Sequence, residues 1–202
     1  MNKNLYEAME GRRSIYALGR EPVVSEKRIR EIVEFAAKHT PSPFNSQSSR
    51  TVVLFGKESN KLWNIVADTL RKIVPAEAFA ATREKLAAFD AGLGTVLFFE
   101  DQAVVNDLAS RFALYKDHFP VWSLQSNGML EFAVWMALES EGLGASLQHY
   151  NPLIDGAVRA EWKLPDSWKL LAEMPFGSVT APAGQKEFNP ISERVRVFGQ
   201  GE

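Results

Sequence analysis

The chain has 202 residues and no cysteine. Disulfides, thiolate nucleophiles and cysteine-held iron–sulfur clusters are thereby excluded. Histidine is scarce. His39, His118 and His149 stand far apart with no HxxH or HExxH pairing, which argues against a metal site. No run of about 18 apolar residues is present to span a bilayer. The N-terminus lacks the charged-then-apolar pattern of a secretory leader, so a cytoplasmic location is the expectation. Charge is balanced, with 23 Lys and Arg against 25 Asp and Glu, and the basic residues are scattered. Nucleic acid or an anionic membrane would require a concentrated basic surface, so neither is expected as a partner. Nucleotide and hydrolase signatures fail as well. No P-loop is present, and Gly92-Leu93-Gly94 precedes its strand and lacks a third glycine. Residues 144–148 approach a nucleophile elbow but end in Gln148 where glycine is required.

What remains is a chain with 46% hydrophobic residues, 13 Phe and 5 Trp, enough for one well-buried core in a single domain over residues 1–202. Ser25 can cap a helix whose apolar positions Ile29, Ile32, Val33 and Ala36 recur at helical spacing. Residues 51–55 are β-branched and apolar on both faces, a buried strand ended by Gly56. A second helix carries Leu62, Ile65, Val66, Leu70 and Ile73 and stops at Pro75; another covers 76–90. Residues 95–99 and 170–174 read as further strands and 153–162 as a helix. Residues 124–142 are apolar nearly all round, which predicts a helix at the centre of the fold, followed by a short strand over 145–149. Residues 194–198 alternate as an edge strand would. The composite is α+β, a central sheet wrapped by helices.

Three segments can carry chemistry. After the short N-terminal helix come Arg12, Arg13, Ser14 and Tyr16. Guanidiniums match phosphate oxygens in pairs and a serine adds a short donor, although a helix dipole also favours cations at this end. The loop Thr40-Pro41-Ser42-Pro43-Phe44-Asn45-Ser46-Gln47 is stiffened by its prolines. Its amides, on Asn45 and Gln47, suit a heterocycle edge, or the loop is simply a capped connector. Gln148, His149 and Tyr150 follow the buried helix at a strand end, where α/β sheets bind ligands. His149 is a proton donor near neutral pH or a histidine satisfied in the core. Lys186, alone, reads as a solvated surface lysine.

The order Arg-Arg-Ser-x-Tyr, then Pro-Ser-x-x-Asn-Ser-Gln before a strand, then the buried helix running into 141–146, resembles the FMN-dependent nitroreductase family. Residues 147–152 look most like the subgroup related to the fungal fatty-acid-repression-mutant proteins. The resemblance implies a nitroreductase-like fold, with a central mixed, mostly antiparallel sheet wrapped by helices. It also implies a homodimer with FMN at the subunit interface. Arg12, Arg13, Ser14 and Lys186 would grip the phosphate. Pro41, Ser42, Pro43 and Asn45 would come from the partner subunit, with Gln47 nearby. Gln148, His149 and Tyr150 would lie beside flavin N5. Many members carry a lysine or arginine where this chain has Tyr16, so a lower reduction potential is expected here. The implied activity is ping-pong hydride transfer from NAD(P)H to a small aromatic acceptor such as a nitroaromatic or quinone. His149 and Tyr150 are candidate proton donors, and no residue is a certain catalyst. A non-catalytic FMN-binding sensor or regulator would use the same residues. Phe112, Phe119 and Trp122 line an acceptor pocket or pack a dimer, and the richness of large interfaces in aromatics favours packing.

Overall fold

Asn4 opens the first helix, α1 (Leu5–Gly11), in the computed structural model, which describes residues 3–199. The Asn4 side chain accepts from the N–H groups of Tyr6 and Glu7, and the Glu7 carboxylate accepts the Asn4 N–H in return. This reciprocal cap satisfies donors that a first helical turn otherwise leaves orphaned. A two-residue strand, β1 (Leu18–Gly19), leads to α2 (Glu26–His39), where Ser25 caps as its sequence position predicts. Ile29, Ile32, Val33 and Ala36 all point inward. There follow β2 (Ser49–Phe55), α3 (Lys57–Leu70), α4 (Phe79–Asp90) and β3 (Gly94–Asp101). The second half holds α5 (Gln102–Arg111), α6 (Phe119–Ser140), β4 (Gly144–Ala145), α7 (Asp155–Trp162) and β5 (Trp168–Val179).

The strands lie in the order β1-β5-β3-β2, every pair antiparallel, with β4 also against β5. One parallel bridge joins Ser14 to Ala145, so the sheet is mixed but mostly antiparallel. Strand periodicity divides the core in two. Val96, Phe98, Ala172, Met174 and Phe176 face α2 and α6, packing on Ile29, Val33, Leu130, Val134 and Leu138. Leu97, Phe99 and Leu170 face the other way, against Leu62, Trp63, Val66, Phe89, Ile154 and Val158. Each such side chain contributes about 1.5–3 kcal/mol when fully buried.

Among the glycines that close approach requires, two bear on the site. A Cβ on Gly177 would lie 2.4 Å from the Gly19 carbonyl oxygen, and one on Gly144 would sit 2.8 Å from Val179 and 3.0 Å from Ile15. Side chains there would push apart the strands that frame residues 12–19.

The structure departs from the sequence reading in four places, the first being that the strand expected over 145–149 is confined to Gly144–Ala145, with a lone bridge from Gln148 to Glu173. Asp101 caps an additional helix, α5, which packs Val105 and Leu108 against Phe119. The central helix begins at Phe119 rather than 124, because Pro120 falls in its first turn, where a missing N–H does no harm. That helix is also only half covered: Leu130, Val134 and Leu138 are buried, while Val121, Leu124, Met129 and Phe132 face outward in the single chain. Residues 194–198 form no strand. They run exposed past Val195, Val197 and Phe198, because no neighbouring strand lies beside them. Among the described residues no helix is long and apolar enough to cross a membrane.

Candidate functional site

The phosphate-type cluster forms because two distant stretches of chain meet. Arg12 terminates α1, its N–H donating to the Ala8 carbonyl at 2.9 Å. The chain then passes along β4, with Ile15 N–H donating to the Ala145 carbonyl at 2.9 Å. Thr180 N–H donates to the Ala17 carbonyl at 2.9 Å, so the end of β5 delivers the C-terminal segment alongside. Between them lies a cavity of about 580 Å³ lined by Arg12, Arg13, Ser14, Tyr16, Ala17 and residues 181–186. Two guanidiniums, an ammonium and a hydroxyl thus converge on one space, which is the donor set an anion requires. Arg12 and Arg13 are half-buried, and Ser14, Tyr16 and Lys186 are exposed. The Arg12 guanidinium lies 4.5 Å from the Trp135 ring centroid, a cation–π contact that fixes its direction.

Gln148, His149 and Tyr150 do not line this cavity, although Tyr150 is close enough to Tyr16 to feel its charge. The Tyr16 ring leans on Phe89 (5.9 Å between centroids), Phe89 on Trp63 (5.0 Å) and Trp63 on Tyr150 (6.0 Å), one aromatic chain running from the cavity to this segment. Gln148 is buried and its Nε2 donates to Ser146 Oγ at 3.1 Å. His149 is exposed, which sets aside the core-histidine reading. Tyr150 is half-buried, and burial, then the neighbouring Glu173 and Tyr16, push its phenol up to about 12. Such a phenol stays protonated and acts as a hydrogen-bond donor before it acts as an acid.

The loop residues are elsewhere. Pro41, Ser42 and Pro43 border a separate apolar cavity of about 410 Å³ with Phe44, Trp122 and Met129. Phe44, Asn45 and Gln47 all have positive φ, near 50°, an uncommon conformation for residues with a side chain. Ser42 holds this tight shape: its carbonyl accepts Asn45 N–H at 3.0 Å and its Oγ accepts Gln47 N–H at 2.9 Å. Asn45 and Gln47 are exposed, and among the described residues their amide side chains make no hydrogen bond. Phe44 stacks on Phe112 (4.9 Å) and Phe119 (5.4 Å), so Phe112, Phe119 and Trp122 form one aromatic cluster at the start of α6. Residues 41–44 and the Arg12–Lys186 cluster therefore line separate cavities with no residue in common.

Two buried carboxylates escape reading by motif. Glu100, at the root of this loop, accepts from Ser49 Oγ at 3.1 Å and Asn127 Nδ2 at 3.2 Å; burial raises its pKa against those bonds. Glu173, in β5, accepts Tyr150 N–H at 2.9 Å, and burial pushes it up to about 8. The only signal in the sequence is a carboxylate interrupting an apolar strand.

Comparison with known proteins gives a consistent result. The Nitroreductase family model matches residues 9–178. HBN1 of Saccharomyces cerevisiae is 34% identical over 194 residues, covering 95% of both chains. Nitroreductase FRM2 of the same yeast is 30% identical over 197 residues, 96% of this chain and 97% of that protein. Nitroreductase CinD from Lactococcus lactis, solved in complex with 4-nitrophenol, superposes with a TM-score of 0.88 at 48% identity, over 97% of this chain and 100% of that one.

Proposed function

Because the chain belongs to the nitroreductase family and is an oxidoreductase of that type, we propose that it is an FMN-dependent NAD(P)H oxidoreductase reducing nitroaromatics or quinones. The observation that carries this is the convergence of Arg12, Arg13, Ser14 and Lys186 on one cavity. Its size and donor set fit the phosphate and ribityl chain of FMN. FMN, if held there by Arg12, Arg13, Ser14 and Lys186, would supply hydride transfer between NAD(P)H and the acceptor.

The protein's own part is to bind, orient and exclude water. Arg12 and Arg13 neutralise the phosphate, with Lys186 reaching it from the C-terminal side and Ser14 adding a hydroxyl donor. Gln148, His149 and Tyr150 form the wall at the reactive edge, where the exposed His149 or the protonated Tyr150 can deliver a proton. Tyr16 offers a phenol, and no full charge, at the ring.

The active form is a homodimer of single-domain chains, with Pro41, Ser42, Pro43, Asn45 and Gln47 of a second copy completing each site. Two features support this. The 41–47 loop and the phosphate cavity lie apart on one chain. The outward apolar residues of α6 and the exposed Phe188, Ile191, Val195, Val197 and Phe198 make a surface that a second copy would cover. That CinD is solved with 4-nitrophenol supports a small planar acceptor.

The test is the visible spectrum of the purified protein and its anaerobic bleaching by NADH and by NADPH. A yellow protein bleached by either is expected. A yellow protein that neither bleaches would replace the enzyme by a flavin sensor, and a protein that stays colourless with excess FMN would end the reading. Parallel initial-rate lines are expected for the two substrates, and replacing Arg12 and Lys186 together by alanine should weaken FMN binding about 100-fold, as two charge-assisted hydrogen bonds imply.

A further inference from the structure

The middle of β5 is apolar and buried at Leu170, Ala172, Met174 and Phe176, yet Glu173 stands among them with no exposed surface. Its main chain pairs twice with Gln148: Gln148 N–H donates to the Glu173 carbonyl at 2.7 Å and Glu173 N–H to the Gln148 carbonyl at 2.9 Å. Any residue but proline could make those two bonds. Only the side chain makes the third, in which Oε2 accepts Tyr150 N–H at 2.9 Å. One residue thereby fastens both ends of the 148–150 segment.

The surroundings show why the group is an acid. Asp155 of α7 faces Glu173, as does Tyr150, itself next to Tyr16. Arg159 of α7 and Lys169 of β5 act on Asp155. Among the described residues no cation forms an ion pair with Glu173, and His149 on the adjoining segment is exposed. Glu173 Oε1, Asn151 Oδ1 and Asp155 Oδ1 are all buried without a donor. Arg159 Nε is likewise buried without an acceptor, but Arg159 acts on Asp155 rather than on Glu173. Unpaired buried acceptors are costly, and a proton on a neutral Glu173 turns one of its two oxygens into a donor. Burial keeps that proton on up to a pH of about 8.

We propose that Glu173 is a positioning residue that holds Gln148, His149 and Tyr150 as a fixed wall of the flavin site, a role that rests on the flavin reading above. It touches neither the cavity nor any reacting atom, and acts through the segment it clamps. When it ionises, a charge without a counter-ion is left inside the fold; its bond to Tyr150 N–H offsets the cost of burial only in part, and opening this segment to water relieves the rest.

The experiment is amide hydrogen exchange at Tyr150 in wild type, E173Q and E173L, with FMN affinity measured on the same samples. E173Q keeps an acceptor for Tyr150 N–H and removes the titration. E173L removes the acceptor at similar volume. In E173L, protection of the Tyr150 amide and FMN affinity should each fall about tenfold, while the amide of Val96 keeps its protection. In wild type, Tyr150 protection, corrected for intrinsic exchange, should drop above pH of about 8 and stay level in E173Q. Should E173L fail to fold, that contrast between wild type and E173Q decides alone. Unchanged protection and affinity in E173L, or the same pH profile in E173Q and wild type, overturns the proposal. If wild type takes up no FMN, the flavin reading falls, and Tyr150 exchange in E173L still decides the clamp.

Discussion

At Tyr16 one phenol occupies the mouth of the cavity, half-exposed and leaning on Phe89. A reduced flavin carries negative charge at the end of its ring, and a phenol meets it with a hydrogen bond where an ammonium would meet it with a full charge. The Tyr16→Lys variant should therefore raise the midpoint potential of bound FMN by roughly 30 mV, which for two electrons is about 1.4 kcal/mol. A spectroscopic titration against a reference dye would measure it, and an unchanged or lowered potential would remove Tyr16 from the account. At this scale the sequence was informative wherever the chemistry is local. Arg12, Arg13 and Ser14 are neighbours in the chain, and their grouping survives any fold. Glu173 is the opposite case. Nothing adjacent to it hints at Tyr150, since their meeting depends on β5 returning beside residues 146–148.

Among the elements, those with strong periodicity and a cap could be read directly: α2 with Ser25, and β3, whose alternate residues face two cores. Helix α5 could not, because Val104, Val105 and Leu108 make only a short apolar stripe and its burial comes from Phe119 and Trp122 far along the chain. Residues 194–198 show the converse. Their alternation is that of a strand, but a strand exists only where another lies beside it. The framing of residues 12–16 depends on an element contact as well. Ile15 sits 3.0 Å from where a Gly144 side chain would begin. The Gly144→Ala substitution should destabilise the fold by about 1–3 kcal/mol, the usual range for overpacking. It should also weaken FMN binding by displacing Ser14. Chemical denaturation and flavin titration would separate the two effects, and a variant as stable as wild type would show that β4 yields freely.

For the whole molecule, buried carboxylates set the response to pH. Burial pushes Glu173 up to about 8 and Glu131 of α6 up to about 7. The folded chain therefore holds protons that the unfolded chain has released above the ordinary carboxylate range. Stability should fall as pH rises from about 4.5 towards 8, by at most about 1.4 kcal/mol per unit for each group. A series of thermal melts across this window would reveal the slope, and E173Q should flatten it. The exposed face of α6 belongs to the same scale. Phe132→Glu should leave a folded chain that elutes as a monomer and binds FMN poorly, since the loop from a second copy would no longer reach the cavity.

The separation of the cationic cavity from the proline-stiffened loop has a genetic consequence. Take one variant crippled at Arg12 and another crippled at Asn45. Each should be inactive alone if, as proposed, every site draws one half from each chain. Mixed and allowed to exchange, they would regenerate mixed pairs in which one site unites the two intact halves and the other collects both lesions. With random assortment about a quarter of all sites should recover, so that two dead proteins blended in a tube would regain colour and turnover.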